Sequence, residues 1–187
     1  GVQTCALPIS IAGHRLFIPT QTTVSVLDAF TLELRYKIGE FDTAYGCAVY
    51  GEELYVTDKK GPRGELQVFS LDGQRRRTVR GDFGKARYVV IRNGLIYLIE
   101  GQEGLPGRLG VQEDEELSEE LKEWAGNRLL VLKLNGEIHQ EIHLPGGEDV
   151  CASRLCFRSD GQGGEELLVV DDKAVDGTNR QIGRAHV

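Results

Sequence analysis

Six basic residues, Lys59, Lys60, Arg63, Arg80, Lys85 and Arg87, fall in two Gly-rich stretches, 58–64 and 80–87. Ammonium and guanidinium groups gathered in this way could hold phosphate or acidic side chains through charge-assisted hydrogen bonds. Plain solvated loop charge is the alternative. Farther along, Leu117, Leu121 and Trp124 recur at i, i+4 and i+7, which places three apolar groups on one helical face. Acids crowd the turns around them, with seven between Glu113 and Glu123 against Lys122. Carboxylates favour the positive end of a helix, and Gly126 is a suitable stop. This helix could pack down on the protein, present its Leu and Trp stripe to a partner, or be a mobile acidic loop. Asp171, Asp172, Asp176 and Asn179 offer oxygens of the type Ca²⁺ takes, but their spacing matches no EF-hand loop, so no metal site is assigned. His14, His139 and His143 have no Ser or Cys motif around them, and GxSxG, Walker and HExxH patterns are absent from the sequence. No catalytic residue and no cofactor is assigned.

The elements that must carry these residues are short strands. Leu54-Tyr-Val-Thr-Asp58, Leu95-Ile-Tyr-Leu-Ile-Glu100 and Leu167-Leu-Val-Val-Asp171 align as equivalent strands, each preceded by an apolar strand and a turn. Two are followed by a further strand and a tight hairpin signal, Asp72-Gly73 and Asn135-Gly136, whose residues tolerate the positive φ of a type I′ turn. An earlier copy runs Arg15–Pro19, Thr23–Leu27 and Leu32–Lys37, without a convincing first strand. Strands of 4–6 residues rich in Val, Ile, Leu and Tyr read as all-β. A four-strand unit returning about every 40 residues is the signature of propeller blades. The predicted fold is a partial β-propeller of three to four blades, at 11–43, 44–84, 85–150 and an incomplete 151–180. The helical insertion occupies 101–127, within a loop of the third blade.

The unit also resembles the NHL family of propeller repeats. The resemblance rests on Gly46-Cys-Ala-Val49, Tyr55-Val-Thr-Asp58 and Val68-Phe-Ser-Leu-Asp-Gly73, with degenerate copies before and after; Pro19-Thr20 and Glu100 depart from the pattern. It implies a scaffold that binds partners, often at the end of a larger protein.

The two ends read as foreign. Gly1–Ile9 back-translates to GGA GTT CAG ACG TGT GCT CTT CCG ATC, and the closing Ile-Gly-Arg-Ala-His-Val to ATC GGA AGA GCA CAC GTC. The second string, taken on the opposite strand, is the first in another frame, and both resemble a short-read sequencing adapter. Residues 1–10 and 181–187 are therefore expected to be adapter-derived and are set aside from fold reasoning. Cys5 leaves with them. Cys47, Cys151 and Cys156 form no CxxC pair, so they are expected to be buried reduced thiols, which fits a reducing, cytoplasmic setting. The 187-residue chain is 40% hydrophobic and 27% charged with net charge −7, an ordinary soluble composition, and it has no apolar run of membrane length.

Strand order sorts the loops. The short Gly turns share one face and read as plain connectors, while the long, variable loops share the other, where binding residues concentrate on a rigid scaffold. The expected function is a non-enzymatic interaction module whose long-loop face takes a protein, or less specifically an anionic ligand or RNA. The alternative is a piece of a propeller hydrolase or lyase whose active-site blades lie elsewhere. The run Arg75-Arg-Arg77 falls on an outermost strand, where charge discourages sheet-to-sheet pairing. An arc with open flanks is expected to aggregate or partly unfold when isolated.

Overall fold

The computed structural model describes residues 9–58, 65–81, 83, 86–100, 128–144, 152–159, 165–171 and 180–186. They form an all-β, partial β-propeller. Three sheets have four antiparallel strands in chain order and a fourth has three. Sheet 1 is β1 (Ser10–Ala12), β2 (Arg15–Pro19), β3 (Val24–Asp28) and β4 (Leu34–Ile38); sheet 2 is β5 (Ala44–Tyr50), β6 (Glu53–Asp58), β7 (Glu65–Ser70) and β8 (Arg75–Val79). Sheet 3 is β9 (Ala86–Arg92), β10 (Leu95–Glu100), β11 (Arg128–Lys133) and β12 (Ile138–His143); sheet 4 is β13 (Ala152–Ser159), β14 (Glu165–Asp171) and β15 (Arg180–His186). The first strands of neighbouring sheets touch, β1 with β5, β5 with β9 and β9 with β13, so these are the inner edges and β4, β8 and β12 the outer ones.

The core lies between sheets. Side chains alternate across a strand, so a strand covered on both faces is apolar throughout. In β6, Leu54 and Val56 join Phe17, Val24 and Val26 of sheet 1, while Tyr55 joins Ile96, Leu98 and Leu130 of sheet 3. In β10 the pattern repeats: Ile96 and Leu98 face sheet 2, while Tyr97 and Ile99 face Leu155, Leu167 and Val169 of sheet 4. Three interlayer clusters thus run along the chain.

Each outer hairpin carries a bulge at the same place. Tyr36 pairs with Val26 and Leu34 with Leu27, so Arg35 is the extra residue; Arg76 and His139 occupy the equivalent positions in β8 and β12. A bulge sharpens local twist. The β7–β8 and β11–β12 turns then come to lie on the outer strand of the preceding sheet. A Cβ on Gly73 would sit 3.2 Å from Ile38 Cγ1, and one on Gly136 only 2.5 Å from the Arg80 carbonyl oxygen. These turns are packing elements between sheets and not the plain connectors that their sequence suggests.

The ends of the chain also differ from expectation. Sheet 1 has its first strand: β1 pairs with β2 from Ser10↔Phe17 to Ala12↔Arg15, and the Val49 N–H donates to Ser10 Oγ at 3.0 Å. β15, in the segment expected to be adapter-derived, pairs with β14. A ladder is a backbone interaction that most segments can supply, so this pairing is independent of where the segment comes from. Residues 101–127, with the expected helix and Leu117, Leu121 and Trp124, lie outside the described residues, as do Lys59, Lys60, Arg63, Lys85 and residues 172–179. Among the described residues there is no helix, and hence none long and apolar enough to cross a membrane.

Among the described residues two side chains other than glycine sit on a left-handed backbone, Asn93 and, in the β3–β4 turn, the bulkier Leu32. Asp28 Oδ1 accepts from the N–H groups of Phe30 (2.8 Å) and Thr31 (3.0 Å), and Oδ2 pairs with Arg35. These donors, the two backbone N–H groups first, hold the Asp28 carboxyl well below the usual carboxylate range. The turn delivers Leu32 at φ +60°. A non-Gly residue there costs about 1–2 kcal/mol, part of which glycine would return through unfolded-state entropy. Leu32→Gly is expected to raise stability by about 0.5–1 kcal/mol, read as a higher urea midpoint at unchanged slope.

Candidate functional site

The long-loop face is built on the ends of β6, β7, β10 and β11 and on the links between sheets. At the mouth of sheet 2, Asp58 is 1% exposed. Its Oδ1 accepts from the N–H groups of Asp42 (3.1 Å) and Thr43 (3.2 Å), and its Oδ2 from Gln67 Nε2 (2.7 Å). The carboxylate therefore ties the link from sheet 1 to the stem of the 59–64 loop. With three hydrogen bonds to its two oxygens it acts as a clamp. Asp58→Ala would strand three donors and is expected to cost about 2–3 kcal/mol, while Asp58→Asn, which keeps one acceptor, should cost clearly less. Equal urea midpoints for the two variants would contradict the clamp.

Sheet 3 solves the same problem differently. Glu100 takes the place of Asp58, and its partner is Arg128, the first residue of β11. Arg128 Nε donates to Glu100 Oε2 at 2.6 Å, Nη2 lies 2.5 Å from the same oxygen, and Nη1 donates to Glu141 Oε1 at 3.1 Å. Two nitrogens crowding one oxygen make a close ion pair in which Nη2 has no well-aligned hydrogen bond of its own. The pair is buried, at 8% exposure for the Arg128 side chain and 3% for Glu100. It closes the stem of the 101–127 insertion.

Of the six cations expected to form a patch, two are described. Arg80 follows β8 with its side chain 77% exposed, and Nε donates to Glu65 Oε1 at 3.1 Å. An exposed pair of this kind adds little stability. Arg87 lies half-buried in β9 and is engaged within the protein. The Arg75-Arg-Arg77 run is on the outer strand β8, but it is more than free edge charge. Arg77 pairs with Glu53, donates to the Tyr55 hydroxyl at 2.8 Å and lies 5.6 Å from that ring's centre; Arg76 is 3.8 Å from Glu53, and Arg75 donates to Thr78 Oγ1 at 2.9 Å. Burial first, then the hydrogen bond to Glu53, pushes the Tyr55 hydroxyl up to about 12, and Arg77 holds Glu53 below its ordinary value.

The inner strands β5, β9 and β13 carry no Asp, Glu or His. Among the described residues no group of three His, Cys, Asp or Glu side chains could hold a metal ion. Cys47 is buried, and burial pushes its thiol up to about 12, far from a nucleophile's range. Cys156 departs from the expectation of buried thiols, because it is exposed on β13; Cys151 lies outside the described residues.

A cleft on the opposite, turn-bearing face escaped the sequence. It measures about 580 Å³ and is lined by Ala12, His14, Arg15, Arg35, Glu52 and Leu71, with Gly13 and Gly51. Arg15 Nη1 donates to the Leu71 carbonyl at 2.9 Å, and the Tyr36 hydroxyl donates to the same oxygen. These bonds clip sheet 1 to sheet 2, so Arg15, one of the two arginines lining the cleft, has a structural task. The His14 ring lies tilted against Phe30, with centroids 5.2 Å apart. Its wall comes from turns of two sheets far apart in the chain, which is why no local motif announces it.

No protein-family profile and no curated protein matches the chain. Solved structures do match, at identities that speak for the fold alone. The hydrazine synthase of Kuenenia stuttgartiensis is 15% identical with a TM-score of 0.55, over 97% of this chain and 49% of that one. The glutaminyl cyclase of Myxococcus xanthus is 11% identical with a TM-score of 0.61, over 96% and 72%. The computationally designed protein Ika4 is 12% identical with a TM-score of 0.53, over 98% and 94%.

Proposed function

We propose that the chain serves as a non-enzymatic interaction module, a propeller scaffold that binds a protein or an anionic ligand through its long-loop face. The observation that supports this best is the pair of buried polar clamps. Asp58 and the Glu100–Arg128 pair fix the stems of the 59–64 loop and the 101–127 insertion while offering no reactive group themselves. Loops held on rigid stems are suited to recognition. Lys59, Lys60, Arg63, Arg80, Lys85 and Arg87 supply positive charge for acidic groups, and Leu117, Leu121 and Trp124 an apolar stripe for a protein surface. In this reading the repeat is NHL-like, and residues 1–10 and 181–187 take no part. The inner strands of the described sheets lack the acids and histidines that the hydrolase or lyase reading needs.

The test is fluorescence anisotropy with a labelled poly-glutamate peptide and, in parallel, a labelled single-stranded RNA, across about 50–200 mM salt. The expected result is salt-sensitive binding of at least one probe that weakens about tenfold in the Lys59→Gln/Lys60→Gln/Arg63→Gln variant. Binding that the triple substitution leaves unchanged would remove the basic loop from the proposal.

A further inference from the structure

Sheets 1 and 2 share one design at the corner where the turn-bearing face meets the outer strand, and one charge differs. In sheet 2, Glu53 opens β6; the bulge residue Arg76 of β8 lies 3.8 Å from it, and Arg77 is paired to it as well. The ladders put Arg15 at the position of Glu53. Arg15 pairs with Asp28 as Glu53 pairs with Ser70, and each stands two residues before the aromatic ring, Phe17 or Tyr55, that faces the following sheet. Arg35 is the matching bulge residue of β4. Sheet 1 therefore keeps the bulge cation and carries a second cation where sheet 2 has the acid.

The bulge also aims Arg35. In an unbroken strand Arg35 and Tyr36 would point to opposite faces, and a bulge re-aims a side chain. Tyr36 reaches sheet 2 with its hydroxyl on the Leu71 carbonyl, and Arg35 lines the same cleft of about 580 Å³ as Arg15, His14, Glu52 and Leu71. These walls belong to sheets 1 and 2, which pack on each other, and to neither flank of the arc. A cleft of this volume is of the size that holds small molecules. Arg15 makes its two bonds, to the Leu71 carbonyl at 2.9 Å and to the Tyr36 hydroxyl at 3.5 Å, with Nη1 alone, and Arg35 meets Asp28 with Nη2. A guanidinium has five donors, so each keeps several for a ligand. Of the nearby acids, Asp28 is taken up by its turn as well as by Arg35, and Asp72 accepts from the Ser70 hydroxyl. Glu52 is the carboxylate among the lining residues.

We propose that this cleft binds a small oxyanion, a phosphate or carboxylate group, between the Arg15 and Arg35 guanidinia, in the place that the Glu53 carboxylate fills in sheet 2. The guanidinium fork matches both groups. The site lies on the face opposite the long loops and is independent of what they bind.

NMR titration of the 187-residue chain with inorganic phosphate and with succinate, at constant ionic strength, tests it. Saturating shifts of the Gly13 and Gly51 amides and of the Arg15 and Arg35 Nε–H signals are expected, with a dissociation constant of about 1–10 mM for at least one anion. A response to phosphate alone would identify a phosphate group as the ligand, and to succinate alone a carboxylate. Arg35→Gln should weaken binding about tenfold at unchanged circular dichroism, since its ion pair with Asp28 is exposed. Glu52→Gln should tighten binding about two- to threefold by removing a negative charge from the wall. Arg76→Gln, at the equivalent bulge of sheet 2, should leave it unchanged. Shifts that rise linearly with both anions would overturn the proposal. So would an Arg35 variant that binds like the parent, a Glu52 variant that binds more weakly, or an Arg76 variant as weak as the Arg35 one.

Discussion

Arg128→Met is expected to cost about 3–5 kcal/mol of folding stability, because it leaves the Glu100 carboxylate buried beside an apolar side chain. The size follows from burial and not from the bond count. Glu100 is 3% exposed, so water cannot replace the guanidinium that Nε and Nη2 bring within 2.6 Å of its Oε2. Glu141, at 33% exposure, can turn to solvent and should suffer little. The paired substitution Glu100→Leu/Arg128→Met separates the net value of the pair from the penalty of breaking it. Removing both charges should recover most of the loss, since a buried pair gains little over well-packed apolar groups. Urea unfolding of the three proteins checks this. A single variant that loses under about 1 kcal/mol would mean that the stem of the insertion is wetter than its geometry implies.

Gly136→Ala should be nearly as damaging, at about 3 kcal/mol or more, for two additive reasons. The backbone at Gly136 has φ +94°, where an alanine costs about 1–2 kcal/mol. The new Cβ would also stand 2.5 Å from the Arg80 oxygen and 2.9 Å from Val79 Cγ1, so backbone of two sheets must part. Gly73→Ala is the control. It has the same positive φ, at +95°, but its nearest neighbour is the Ile38 side chain at 3.2 Å, which can yield by rotation. Its cost should stay near 1–2 kcal/mol. If the two alanines cost the same, the turn of sheet 3 does not pack on β8 as described.

These two effects mark where the sequence was readable and where it was not. The short apolar strands such as Leu54–Asp58 and the Asp-Gly and Asn-Gly turns are local signals, and local signals predicted the sheets. The reach of Gly136 onto Arg80 is a contact between residues 56 apart, created by a bulge at His139 that no composition rule marks. Asp58 was visible as the end of a repeat motif, yet its task was hidden, because the donors it gathers come from Asp42 and Thr43 in the preceding link. Glu100 looked like a departure from that motif; with Arg128 across a 27-residue insertion it is a substitute for it. The first strand was missed because Ser10–Ala12 is short and begins inside a segment set aside. At the candidate site, loop position on the scaffold was legible. The partners of individual cations were not: Arg77 looked free and is held by Glu53 and Tyr55, while Arg80 keeps an exposed guanidinium.

The central claim is that sheets 2 and 3 are sandwiched on both faces, so that stability resides in their middle strands. Native-state hydrogen exchange resolved by residue tests it most directly. The slowest amides should be those of Leu54–Thr57 in β6, Ile96–Ile99 in β10 and Leu129–Leu132 in β11, exchanging about a hundredfold or more slowly than those of the edge strands β4, β8 and β12. Equal protection of middle and edge strands, or fast exchange throughout β10 and β11, would contradict the stacked-sheet account.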